Sequence, residues 1–475
     1  MSSTLKRHKH FEELCEKTSE DRISSLPSNL IGHILSFLPT KNAVATSVLS
    51  TRWKELWTMI THLYFDDYLL HSPKHLNRDL DALRTTFTEF VNRVLLLGRF
   101  SCIDTFRLHC VECYNAPGVN SWLASVLTCK VQELDIRVPQ MNSSLLPSNL
   151  FTCTTLVKLT LGAYIYMNVP RLVLLPCVKF VDLAWVYFPD DDSITRFLDG
   201  CPVLDTLKMK RCAGPHVRVA KICNPLLRSL HLTFLSWEDN FSAHSMSLRI
   251  MLNTPFLSDL FIEDCEAEGY VVENLHELTS AHICIRCSRT SGIRPLHYHG
   301  DDAISDLLKG MSIVQKLHLF TEANNDRRSV LPMFRNMDDL VYVINRDDKF
   351  ETLLNLLERS PHLRSLRTEF CYDDRNYSDY QPQLEFLSEP YHPPEPELLQ
   401  QVPDCLLFHL KIIKIVNFQG YHEEVKLVEY LLKNARVLEK FIISGKSCFL
   451  ERYLRMHEDL RFLPRASRLC QIEFV

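Results

Sequence analysis

Glycine is scarce in this chain, 12 of 475 residues, where an average composition would give about 33. Gly-rich phosphate cradles, collagen-like repeats and flexible linkers are therefore disfavoured as organising themes. Long apolar runs are missing as well. The longest, such as residues 94–97 and 172–175, fall far short of the roughly 20 residues that cross a bilayer. No apolar h-region accompanies the basic residues near the N-terminus, so a secretory signal is not expected. An excess of one charge is also lacking: 53 basic against 58 acidic residues leave −5. That field is too small to make nucleic acid or an anionic membrane surface the expected partner.

What is present is ordinary globular material, 46% apolar and 23% charged. The length implies about three folded units or one long repeat array. Seventeen cysteines, an odd number spread along the chain, read as reduced thiols of the nucleus and/or cytoplasm that pack as small hydrophobes. Residues 1–20 are polar and lack an apolar period, which reads as a disordered tail. Its cluster Lys6, Arg7, His8, Lys9 and His10 fits a solvated tail and a nuclear address alike.

Residues 21–62 spell three short helices. Pro27 stands at a helix start, and Leu30, Ile31, Ile34, Leu35 and Leu38 form one stripe. Pro39 stops it. Thr40 is placed to cap a second helix with Ala43, Val44, Ser47 and Val48, and Ser50 a third with Trp53, Leu56, Trp57 and Ile60. A unit this short does not bury enough apolar surface to stand alone, so periodicity fits both a cap on the next domain and an interaction module. The spelling Asp21-Arg22-Ile23-Ser24-Ser25-Leu26-Pro27, Ile34-Leu35-Ser36-Phe37-Leu38-Pro39-Thr40-Lys41 and Ser50-Thr51-Arg52-Trp53-Lys54-Glu55-Leu56-Trp57 resembles the F-box of plant F-box proteins. The resemblance implies docking onto a Skp-type adaptor, and through it onto the cullin and RING subunits of a ubiquitin ligase. Leu26, Pro27, Ile31, Ile34, Leu35, Leu38, Val44, Val48, Leu49 and Trp53 fall on the family's hydrophobic positions and are the expected adaptor-binding residues.

After a helical linker at 63–99, residues 100–370 carry an apolar-x-x-apolar-x-apolar pattern. It begins at Ile103, Val131, Leu156, Val178, Leu204, Leu227, Leu257, Val314 and Leu363. Two gaps are about twice the usual spacing, which places degenerate units near 282–285 and 340–343. The period is that of leucine-rich repeats. Each unit reads as a short strand, and stacked strands form a parallel sheet backed by helices such as 193–198, an open horseshoe. Residues interleaved between the inward positions face the other way and make one concave recognition surface. Phe180, Asp182, Lys208, His231, Phe261, Glu263, His318 and Phe320 are its expected substrate-binding residues. A one-residue slip of register would exchange the two faces. The linking phrases Asp190-Asp191-Asp192-Ser193 and Gly200-Cys201-Pro202-Val203-Leu204 also resemble plant F-box proteins, which use such repeats to hold substrates.

Residues 371–404 are rich in proline and carboxylates and read as a linker. A strand at 410–415, a helix from Glu423 and a strand at 438–443 follow. Pro403-Asp404-Cys405-Leu406, Glu423-Glu424, Leu431-Leu432-Lys433-Asn434-Ala435 and Leu438-Glu439-Lys440 resemble the FBD domain. On physical grounds residues 405–475 extend and close the solenoid's C-terminal end.

Motifs for chemistry fail one by one. Ser444-Gly445-Lys446-Ser447 follows a strand, but Lys440 stands where a phosphate loop needs its first glycine. Cys110-x-x-Cys113 and Cys284-x-x-Cys287 are too far apart to make a zinc finger and read as buried repeat cysteines. Neither His276-Glu277 nor His422-Glu423 has a second histidine four residues on, and no G-x-S-x-G elbow occurs. Asp190 to Asp192 favours a helix N-terminus over calcium. The expectation is an α/β protein without catalytic residues, cofactor or metal: a three-helix F-box, a leucine-rich-repeat solenoid and an FBD module. It would bind a Skp-type adaptor and an unknown protein substrate, with no nucleic acid or membrane partner. The rival readings are a scaffold that binds the adaptor without promoting ubiquitination, and a ligand-gated co-receptor.

Overall fold

The computed structural model describes residues 23, 25–68, 80–98, 100–112, 114–139, 146–212, 214, 216–234, 248–264, 267–285, 300–321, 331–345, 350–371, 401–445 and 460–475. The N-terminal tail with its basic cluster, most of the proline-rich linker, Cys113, Cys287, Lys446 and Ser447 lie outside the described residues. The chain divides into two compact units, residues 1–165 and 166–475.

The first unit opens with α1 (Ser28–Leu35) and α2 (Thr40–Ala45), followed by single 3-10 turns at Thr46–Val48 and Leu56–Met59. The third helix expected after Ser50 is therefore a run of turns. Ile31, Leu35, Ala43, Trp53, Leu56, Trp57 and Ile60 make the interior of this module. Gly32 is required there, because a Cβ at that position would come within 2.8 Å of Met59 Cβ. Thr40 does not cap its helix; its hydroxyl accepts the backbone N–H of Tyr64 at 2.7 Å. That bond ties the module to β1 (His62–Asp66), a strand inside the span read as a helical linker. The unit continues with α3 (Leu80–Gly98), β2 (Thr105–His109), α4 (Ala116–Leu127), β3 (Glu133–Arg137) and β4 (Lys158–Tyr166). Strands β1 to β4 are neighbours in chain order, with β1, β2 and β3 paired parallel and β3 paired parallel with β4. Asp67 is buried at the end of β1, where its carboxylate accepts the N–H groups of Val111 and Glu112 and the hydroxyl of Tyr114.

The second unit begins with β5 (Phe180–Tyr187), α5 (Asp191–Asp199), β6 (Thr206–Lys210), β7 (Val219–Cys223) and β8 (Ser229–Phe234). It continues through β9 (Leu248–Asn253), β10 (Asp259–Asp264), β11 (Ala267–Asn274), β12 (Ser280–Ile285), α6 (Gly300–Gly310) and β13 (Lys316–Thr321). Then come β14 (Asp339–Asn345), α7 (Glu351–Glu358), β15 (Ser365–Cys371), α8 (Asp404–Phe408), β16 (Ile412–Phe418), α9 (His422–Asn434), β17 (Lys440–Gly445) and β18 (Gln471–Phe474). The main sheet runs β5-β6-β8-β10-β12-β13-β14-β15-β16-β17-β18. The leucine pattern locates its repeat strands, and the two degenerate units are β12 and β14.

One backbone device recurs at the start of the repeat strands. The N–H groups of Asp205 and Thr206 both donate to the carbonyl of Lys179, and those of Arg228 and Ser229 to that of Asp205. Ser258 and Asp259 repeat the arrangement on Arg228, and Thr279 and Ser280 on Ser258. Apolar residues such as Leu207 and Met209, Leu230 and Leu232, and Leu317 and Leu319 then stack on one face as a continuous core. The FBD strands continue the same sheet, with Ser365 opposite Ile412 and Ile412 opposite Lys440.

The helices expected behind the sheet are only partly present. α5 forms as its spelling suggests, with the Asp190 carboxylate accepting the N–H of Ser193 at 2.8 Å and its hydroxyl at 2.7 Å. Between β6 and β12, however, the returning segments build a second parallel sheet, β11-β9-β7. Its strands alternate in sequence with those of the main sheet.

Glu424 explains one of the FBD phrases. Its side chain is buried and accepts the N–H groups of Gln419 (2.8 Å), Gly420 (2.6 Å) and Tyr421 (3.2 Å), folding the turn in front of α9. Gly420 holds a left-handed φ of 77° there. Glu423 lies at the surface, 3.9 Å from Lys426. Glu424→Ala should lower stability by roughly 2 to 3 kcal/mol, since three N–H groups lose a charged acceptor. Glu423→Ala should stay within about 0.5 kcal/mol of the parent. Urea unfolding of the two variants side by side checks the difference.

Candidate functional site

Two surfaces carry the expected binding residues, and each is built by different elements. In the N-terminal module, helical spacing splits the apolar stripe of α1 into two faces. Ile31 (0% exposed) and Leu35 (2%) point inward and meet the 3-10 turn, as does Trp53 (7%). These three are corrected from partner contacts to interior residues that hold the module together. Ile34 and Leu38 are exposed on the other face, and Val48 (85%) and Leu49 stand out at the end of the 3-10 turn that follows α2. Pro27 is exposed at the start of α1, while Leu26 and Val44 are half-buried. The carbonyl of Leu26 accepts a hydrogen bond from the Arg52 guanidinium, which fixes the chain leading into the helix. Leu30 and Phe37 are exposed beside Ile34 and were not among the expected contacts. Their i, i+4 and i+7 spacing in Leu30, Ile34 and Phe37 was the available signal.

On the repeat sheet the register aligns side chains across strands without a shift. Asp182 on β5 is opposite Lys208 on β6, Lys208 opposite His231 on β8, and His231 opposite Phe261 on β10. Phe261 faces His282 on β12, and His282 faces His318 on β13. All six are half-buried on the face opposite the core. The row brings together four of the expected residues beside Asp182, namely Lys208, His231, Phe261 and His318, and adds His282, which lies in a degenerate unit. Phe180 sits one row earlier, under the Lys208 ammonium at 5.7 Å from its ring centre. Glu263 is half-buried one row later. In that later row Phe320 is a correction: it is only 6% exposed, beside Cys284 at the same 6%. The end of β13 is covered, so alternation alone does not expose a side chain there. Sequence reasoning also missed Trp185 and Arg211, whose guanidinium lies 4.0 Å from the indole centre. Both adopt left-handed φ, 60° and 54°, which no residue type announces outside glycine and asparagine.

Burial pushes the three imidazoles of the row towards the neutral form. For His231 burial acts first and Lys208 second, against the pull of Asp259 and Asp182. His282 is lowered to about 4 by burial, then by His318 and His231. His318 is lowered by burial and Arg367, with Glu369 opposing. Among the described residues no cluster of three or more histidine, cysteine or acidic side chains could hold a metal ion. Cys110 is a buried thiol, its ionisation suppressed by burial and by Asp67 and Asp66.

A two-helix module with outward aliphatic residues, followed by a parallel repeat sheet and a strand-helix-strand end, defines the class of F-box proteins with leucine-rich repeats. The F-box domain model matches residues 23–62, and the FBD model residues 399–443. The repeat model of the FBD-associated F-box protein At5g56370 matches residues 119–286. The chain is 30% identical to the F-box/LRR-repeat protein At3g59200 of Arabidopsis thaliana, over 96% of this chain and 88% of that protein. It is 28% identical to the F-box/FBD/LRR-repeat protein At5g56420 of the same plant, over 96% of this chain and 99% of that protein. The chain belongs to the F-box/FBD/LRR-repeat family. Proteins of this family are generally non-catalytic adaptors, and no catalytic domain is among those matched.

Because the folded pKa of His282 lies below the unfolded value, the unfolded chain binds more protons between about pH 6.5 and 4. Stability therefore falls as the pH drops through that window. His282→Phe should flatten this part of the profile while leaving stability at pH 7.5 close to the parent. Urea midpoints of both proteins at pH 7.5, 6 and 5 test it.

Proposed function

We propose that this protein is the substrate-recognition subunit of an SCF-type ubiquitin ligase, acting in the nucleus and/or cytoplasm. Its F-box holds the Skp-type adaptor, which bridges to cullin and the RING subunit. The repeat face holds a target protein for ubiquitination. The observation that carries the reading is the set of aliphatic side chains that the F-box leaves uncovered, Ile34, Leu38, Val48 and Leu49, over a well-packed interior. Burying such side chains contributes roughly 1.5 to 3 kcal/mol each, and a handful outweighs the several kcal/mol lost on association.

The chemistry is supplied entirely by the partners. What this chain contributes is proximity: a bound target places its lysine near the charged thioester of the conjugating enzyme, raising their effective concentration. The repeat sheet suits this role because its strands are locked in one register, which fixes the face that would carry the target.

Co-expression with a Skp-type adaptor tests the reading. The parent should form a one-to-one complex, and Val48→Glu with Leu49→Glu should abolish it while circular dichroism stays unchanged. Ile31→Ala should instead destabilise the module by roughly 2 to 5 kcal/mol, losing the complex together with the local fold. A complex that survives the double glutamate variant would remove this surface from the adaptor interface. Ubiquitin transfer in a reconstituted ligase separates the recognition subunit from a scaffold that merely binds the adaptor.

A further inference from the structure

The row across the repeat face has an electrostatic character that its individual residues do not reveal. His231 and Phe261 stack with ring centres 5.3 Å apart and planes 17° from parallel. Phe261 and His282 stack at 4.5 Å and 12°, and His318 meets His282 at 4.1 Å and 70°. Side chains on a strand stand roughly perpendicular to the sheet. A stack that runs across the strands therefore spends its ring faces on one another and turns ring edges away from the sheet. The edge of an aromatic ring is the positive end of its quadrupole and the face the negative end. A row of edges is thus complementary to the flat face of one more ring.

The surroundings narrow the class further. Among the described residues none of the three imidazoles has a hydrogen-bond or ion-pair partner for its ring nitrogens, so no ion pair lies among the four rings, and the fixed charges of Lys208 and Asp182 stand at one end of the row. Asp259 and Glu263 flank Phe261 on the same face of β10, which repels an acidic segment. Beyond His318 the row continues with Val341. Arg367 follows, held by Glu369 at 2.5 Å. Four strands at a spacing of ~4.8 Å give a strip about 14 Å long, room for one aromatic side chain and its immediate neighbours.

We propose that His231, Phe261, His282 and His318 form a docking strip for an aromatic side chain of a target peptide segment, laid face-down across the ring edges of Phe261 and His282. This deepens the reading of the repeat face as the recognition surface and rests on it. It adds the class of side chain recognised: tryptophan, tyrosine or phenylalanine in an otherwise non-acidic segment.

A displayed library of random dodecapeptides, panned against the full chain in complex with its adaptor, tests the strip. Selected peptides should be enriched in aromatic residues, and Phe261→Ser with His282→Ser should reduce their capture about tenfold. His282→Phe keeps a ring edge in place and should retain capture, which a hydrogen-bonding or charge-pairing role for that imidazole would not allow. Enrichment of acidic residues, no aromatic enrichment, or equal capture by the double serine variant would each overturn the proposal. Adaptor binding and the thermal transition of each variant are read in parallel. A variant that keeps both has lost the strip and not the fold. Should the parent chain fail to bind the adaptor, the ligase reading falls, while panning of the free chain still reports on the strip.

Discussion

One carbonyl per repeat holds this protein in register. The residue just before each repeat strand accepts two successive N–H groups from the start of the next, from Lys179 through Asp205, Arg228 and Ser258 and on to the FBD. The same geometry appears in the first unit, where Asp104 and Thr105 donate to the carbonyl of Thr61. Because the device is made of backbone, it asks nothing of side-chain identity beyond the absence of proline at the donors. The leucines that stack behind it supply most of the stabilisation, and because a one-residue slip would turn them to the exposed face they select the register that the carbonyl then closes. Everything on the face opposite the core inherits its position from that register.

This division explains what the sequence reveals and what it hides. The repeat strands are legible because their apolar spacing must recur wherever one strand packs on the next, and even β12 and β14 leave a trace of it. The second sheet is not legible. Its strands, among them β7 reading Val219-Ala220-Lys221-Ile222-Cys223, sit where the period expects helices. Nothing local distinguishes them from return loops, since their pairing partners lie on neighbouring repeats.

The two candidate surfaces show the same boundary. The F-box was recognisable from its spelling, yet spelling does not separate side chains that hold a module from those it offers. Ile31 and Ile34 share a stripe and have opposite fates, because α1 is covered on one side only. The missing third helix has a related cause: Trp53, Leu56, Trp57 and Ile60 are buried by packing that turns satisfy as well as a helix would. On the repeat face alternation placed Asp182, Lys208, His231, Phe261 and His318 correctly relative to the core. It failed for Phe320, which is only 6% exposed although alternation puts it on the outer face.

A register held by backbone also bears on how such a surface changes over generations. Substituting one residue on the face opposite the core alters one square of a grid whose rows and columns stay where they were. Neighbouring squares keep their geometry, so specificity can drift stepwise without passing through misfolded intermediates. A lineage built on this plan can diversify what it binds while its scaffold stands still.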